Sequence, residues 1–158
     1  MPSLYIIAKG DVSRLRFEGI FTVASPKERV FAVVTDPNQV ARCMPDLRKL
    51  EVKSKDEFVA VVGTGISLLK GEISLHFRTL EKSPSGAKMV AHGSGLGSIV
   101  DVEMVTELTD DEGGGTSMKW TAEAKVSGKI ASLGQGLIKS QSERIIRQLF
   151  DCLRGKLE

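Results

Sequence analysis

The 158 residues carry 22 Lys and Arg against 20 Asp and Glu, spread along the chain. The net charge of +2 leaves no basic stripe of the kind a dedicated nucleic-acid binder shows, and 41% apolar with 27% charged residues is the composition of an ordinary globular protein, long enough for one domain with a proper core. No stretch reaches the roughly 20 apolar residues of a membrane helix, and the apolar run at residues 4–8 is too short for a signal peptide, so a cytoplasmic protein with at most peripheral membrane contact is expected.

Residues 1–14 are expected to lie apart as a leader, either loose or forming a short extra strand around Tyr5, Ile6 and Ile7. The domain proper is expected over residues 15–158. Its first strand, 15–23, alternates Leu15, Phe17, Gly19, Phe21 and Val23 with Arg16, Glu18, Ile20 and Thr22. Ser25-Pro26-Lys27-Glu28 then reads as a capping box with proline at the first helical position. Val30, Phe31 and Val34 give that short helix one apolar face. Asp36-Pro37-Asn38-Gln39 repeats the start signal, and Pro45 stops the second short helix.

From Leu47 the pattern turns to β for about eighty residues. Strands are expected at 47–52, 58–64, 72–80, 87–92, 100–108 and 118–126, joined by short turns. A bend is expected between Gly65 and Leu69, and flexible connections at Gly93–Ser98 and Asp110–Gly115. Short connections make the sheet antiparallel, and clean alternation gives it one wet and one buried face. The last stretch, from Ile130 to Leu157, repeats apolar residues at helical spacing: Ile130, Leu133, Leu137, Ile138, Ile145, Ile146, Leu149, Phe150, Leu153 and Leu157. Fully helical, it would be about 40 Å long. No strand–helix–strand crossover is present, which disfavours a doubly wound nucleotide-binding fold.

Chemistry-bearing residues are few. His76 and His92 are the only histidines. His76 alternates opposite Ile73, Leu75 and Phe77 and is expected to face solvent. The register of His92 is open. Neither falls in a metal-binding spacing with Cys43 or Cys152, so no metal site is expected. Cys43 and Cys152, far apart and without a secretion signal, read as small buried hydrophobes in a reducing compartment. Asp36 is accounted for as a helix cap, and no pair of carboxylates stands out as acid and base. Gly93-Ser94-Gly95-Leu96-Gly97-Ser98 lacks the Lys-Ser/Thr and following helix of a phosphate loop. No catalytic residue and no cofactor is assigned.

The order of elements resembles the helix-grip fold of the START/Bet v 1-like superfamily. This is an α+β fold in which a curved seven-stranded antiparallel sheet wraps around a long C-terminal helix, with two short helices between strands one and two. Three stretches narrow the resemblance to the CoxG family of carbon monoxide dehydrogenase subunits. They are Thr35-Asp36-Pro37 with Ala41-Arg42-Cys43-Met44-Pro45; Gly63, Gly65 and Leu69-Lys70-Gly71 with Ile73; and Gly128-Lys129-Ile130-Ala131 with Leu133-Gly134-Gln135. Gly136 departs from the family's larger residue at that point.

The resemblance implies an internal cavity. Small inward residues support it, as do the adaptable methionines. The expected lining is Phe21, Cys43, Met44, Ile73, Leu75, Phe77, Met89, Ala91, Met104, Trp120, Ala122, Leu133, Leu137 and Gln141. Gly93, Gly95, Leu96 and Gly97 would rim its mouth. The implied function is non-enzymatic carriage of an apolar small molecule, a lipid or isoprenoid quinone, for a molybdenum-containing carbon monoxide dehydrogenase and its membrane link. The alternatives are a cyclase/dehydratase- or hydrolase-like enzyme of the same superfamily, for which His92 would have to point inward, and an assembly or co-chaperone module with a vestigial cavity.

Overall fold

The computed structural model describes residues 3–10, 14–66 and 69–158. Eight strands form one antiparallel sheet: β1 (Ser3–Gly10), β2 (Arg14–Val23), β3 (Leu47–Ser54), β4 (Glu57–Ile66), β5 (Leu69–Ser83), β6 (Gly86–Gly95), β7 (Ser98–Asp110) and β8 (Thr116–Gly128). Their order is β1-β2-β8-β7-β6-β5-β4-β3. The helices α1 (Lys27–Val34) and α2 (Pro37–Ala41) separate β2 from β3, and α3 (Gln135–Leu157) follows β8. This is the expected helix-grip arrangement with one strand more. The extra strand is β1, which pairs with β2 from Ser3↔Thr22 to Gly10↔Leu15. The supposed leader is thus an edge strand of the same sheet, and Leu4 and Ile6 pack on the core. Residues 1–2 and 11–13 of that leader, and 67–68 of the expected bend, lie outside the described residues.

Alternation places the strands as read. On β2, Leu15, Phe17, Phe21 and Val23 are buried, and on β8, Met118, Trp120 and Val126. These meet Val30 of α1 and Ile138, Phe150, Leu153 and Leu157 of α3 in one core cluster. A second, smaller cluster joins Ala41 at the end of α2 to Phe58 and Ala60 of β4, Phe77 of β5 and Ala91 of β6. The sheet therefore carries two packed regions on one face, one under α3 and one under α2.

Local signals are met unevenly. Asp36 caps α2 as expected: its Oδ1 accepts from the Asn38 backbone N–H at 3.0 Å, with Pro37 at the first helical position. The expected Ser25 cap does not form. The N-cap of α1 is Pro26, without a side-chain hydrogen bond. Ser25 is instead buried against β8, where its carbonyl accepts from Thr116 Oγ1 at 2.6 Å. The last helix also starts later than its apolar pattern. Ala131–Leu133 form a 3-10 turn, and Gly134, at φ 97°, breaks the path before Gln135. Twenty-three helical residues span about 35 Å.

The connection expected to be flexible around Gly93–Ser98 is a tight hairpin. Gly95 pairs with Ser98, and only Leu96 (φ 54°) and Gly97 (φ 65°) lie between. Positive φ at both positions is what a two-residue hairpin with the right-handed strand twist requires. The Asp110–Gly115 connection is likewise ordered by a 3-10 turn at Glu112–Gly114.

Candidate functional site: the inner face of the sheet

Strand register sets out the inner face in rows. Phe77, Ala91, Val102, Ala124 and Leu15 are opposed across five strands. Beside them run Met89, Met104, Ala122 and Phe17. Phe77, Ala91, Leu15 and Phe17 are buried, but Met89, Val102, Met104, Ala122 and Ala124 remain half-buried. Small residues contribute: Ala91, Ala122 and Ala124 stand only a methyl above the sheet. Between Ile138 and Phe150 no residue of α3 is buried, and Gln141, Ser142 and Ile146 are half-buried. Met89, Val102 and Met104 pack beside the second cluster, and Ala122 and Ala124 beside the first, yet all five keep part of their surface exposed.

The expected lining residues are spread over both packed regions of the inner face. Met89 and Met104 pack beside the second cluster and Ala122 beside the first. Ala91, Phe77, Leu75 and Met44 belong to the second cluster, where Phe77 stacks on Phe58 at 4.6 Å between centroids. Ile73 packs against the first. Phe21 and Trp120 sit in the solid half: Phe150 lies 4.8 Å from Phe21 and 5.4 Å from Trp120, and the Arg154 guanidinium covers the Phe21 ring at 4.7 Å. Leu133, on the 3-10 turn, and Leu137 and Gln141, on the first turns of α3, are half-buried. Gly93 is buried because the Leu75 side chain lies over it. Leu96 at the hairpin tip lies over Gly71, where a Cβ would come within 2.7 Å of its Cδ2. Gly95 and Gly97 flank that tip.

One polar group on this face lacks a partner. Trp120 Nε1 is buried and makes no hydrogen bond among the described residues. A buried N–H left unpaired costs about 1–3 kcal/mol.

The cysteines overturn the expectation of two separate thiols. Cys43, just beyond α2, and Cys152, near the end of α3, form a disulfide with Cα atoms 5.4 Å apart. A separation of 109 residues hides the pairing, which only the packing of α2 on α3 brings about.

Both histidines face the outer side of the sheet. They are opposed to each other across β5 and β6. His76 Nε2 pairs with Glu57, and His92 Nδ1 lies 2.6 Å from Asp101 Oδ1, with both side chains of the latter pair more than half exposed. They border a polar depression of about 780 Å³ on the outer face, together with Arg78 and Lys125. The inward His92 that an enzyme reading requires is absent. Among the described residues no group of His, Cys, Asp and Glu is placed to hold a metal ion.

Solved structures share this architecture. A conserved protein from Geobacillus kaustophilus superposes with a TM-score of 0.82 at 24% identity, over 90% of this chain and 94% of the other. A START superfamily protein from Mycobacterium smegmatis gives 0.67 at 10% identity, over 94% and 97%. Ara h 8.0201 gives 0.65 at 16% identity, over 91% and 97%. At these identities the likeness is one of fold: the sheet-and-helix arrangement is that of START and Bet v 1-like proteins. The model of the carbon monoxide dehydrogenase subunit CoxG matches residues 19–158, and the chain belongs to that family. No curated protein matches the sequence. No helix among the described residues is long and apolar enough to cross a membrane.

Proposed function

We propose that the protein is a non-enzymatic carrier that holds a lipid or isoprenoid quinone against the inner face of its sheet, and that it links a molybdenum-containing carbon monoxide dehydrogenase or a relative to the membrane electron pool. The reading rests on one observation above others. The half-buried row Met89, Met104 and Ala122, with Val102 and Ala124 beside it, runs across the inner face from one packed cluster to the other. Family membership supports the enzyme partner. Burying roughly 300 Å² of ligand there would contribute about 7 kcal/mol, before the costs of association. The orphan Trp120 N–H suits a ligand that brings a carbonyl acceptor to this face. The test is to purify the protein from its own source without detergent and record its native mass. A bound apolar molecule released by organic solvent supports carriage; protein that stays empty and binds no added quinone overturns it.

A further inference from the structure

The segment between β2 and β3 is held in two different ways. At α1, polar ties fasten it. Ala24 N–H donates to Glu158 Oε2 at 2.8 Å, Arg29 Nη2 donates to the Lys156 carbonyl at 2.9 Å, Thr116 Oγ1 donates to the Ser25 carbonyl, and Val30 is fully buried. Beyond Thr35 this changes. The backbone hydrogen bonds of Asn38, Val40, Arg42, Cys43 and Met44 all close on residues of the same segment. The next tie to the sheet among the described residues is Gly63 N–H to the Asp46 carbonyl, at 2.9 Å. Residues 36–45 are therefore held down by the burial of Pro37 and the packing of Ala41, Cys43 and Met44, and by one covalent bond, Cys43–Cys152. The backbone leaves regular geometry at both ends, at Thr35 (φ −101°, ψ 0°) and at Asp46 (φ 53°). Ala41 belongs to one core cluster and Cys43 to the other, so the segment bridges the two packed regions of the inner face.

We propose that the Cys43–Cys152 disulfide is a redox latch on residues 36–45. Oxidised, it pins this lid to α3 over the inner face. Reduced, the lid swings about Thr35 and Asp46 and the ligand exchanges. The ligand half of the proposal rests on the carrier reading; the motion of the lid does not.

The reductant is a dithiol. Its thiolate attacks Cys152 Sγ, since Cys152 is half-buried and Cys43 only 5% exposed. The Cys43–Cys152 bond breaks, a mixed disulfide forms at Cys152, and Cys43 leaves as a thiolate that takes up a proton. The second thiol of the donor then displaces Cys152. The donor ends as a disulfide and the protein as two thiols, with two electrons and two protons transferred. Oxidation by a disulfide donor runs the same steps backwards.

Hydrogen exchange read by mass spectrometry tests the latch on the air-oxidised protein, the same protein in dithiothreitol, and C43S/C152S. Amides of residues 36–46 should exchange at least about tenfold faster in the reduced protein and the double variant, while those of β7 and β8 hold their rates. Decylubiquinone, followed through the single tryptophan, should dissociate faster from the same two forms. Equal exchange at residues 36–46 in both redox states overturns the latch, as does equal acceleration throughout the sheet. Two free thiols in the denatured, air-oxidised protein also overturn it. Failure of the quinone to bind in any form, with residues 36–46 still responding to reduction, sustains the latch and counts against the carrier.

Discussion

Trp120 is the residue on which packing and binding meet. Its ring lies over Gly19, the position opposite it on β2, and a Cβ at Gly19 would come within 2.9 Å of Trp120 Cζ2 and run into the Tyr5 carbonyl oxygen. Gly19→Ala should therefore push β1 and the indole apart and destabilise by about 1–3 kcal/mol, lowering Tm by several degrees in a thermal melt. An unchanged Tm would mean that the close approach is easily relieved. Trp120→Phe asks a different question. It removes the unpaired N–H, so a ligand with a carbonyl acceptor should lose about 0.5–1.5 kcal/mol, or roughly two- to twelvefold in Kd, by calorimetry. A hydrocarbon of the same size should lose less. Trp120 is legible as an inward residue because it falls on the inward phase of β8. That the ring is locked beside Phe150 is not legible, since Phe150 is thirty residues on and reaches it only through the fold of α3.

Among the elements, the short helices are the most legible and the cysteines the least. Asp36-Pro37 sets α2 through purely local chemistry, and Asp36→Ala should cost about 0.5–2 kcal/mol in denaturant unfolding. Ser25-Pro26 offers the same local signal, yet Thr116 claims the Ser25 carbonyl and buries the side chain. A tertiary contact there outweighs a cap. The apolar stripe of the last helix reaches back to Ile130 because Ile130 is itself a core residue. Apolar spacing reports burial and cannot distinguish a helix from a 3-10 turn that ends at a glycine of positive φ. The disulfide is hidden for a similar reason: 109 residues separate its halves, and composition reads each as a small hydrophobe. Closing so long a loop restricts the unfolded chain strongly. Cys152→Ser should therefore cost about 2–5 kcal/mol and lower Tm by about 5–15 °C relative to the oxidised protein. Against the fully reduced wild type the difference should nearly vanish.

The whole molecule follows from period-two patterning met by one helix, and that much is visible from composition and alternation. β1 is legible only as one of two alternatives, a short strand around Tyr5, Ile6 and Ile7 or a loose leader, because a single short apolar run lacks the alternation that marks the other strands; its pairing with the neighbouring β2 decides between them. The site is partly legible in the same sense. Alternation identifies Met89, Met104 and Ala122 as inward, but which inward residues stay uncovered depends on where α3 crosses the sheet, a property of the assembled layers. If the half-buried row is a binding site, filling it should abolish binding and spare the fold. The decisive measurement is quinone binding by native mass spectrometry to the wild-type protein and to Ala122→Trp, with circular dichroism confirming that both are folded. One quinone should bind the wild type and none, or at least tenfold less, the folded variant. Equal occupancy in both, or none in the wild type, would contradict a carrier built on this face.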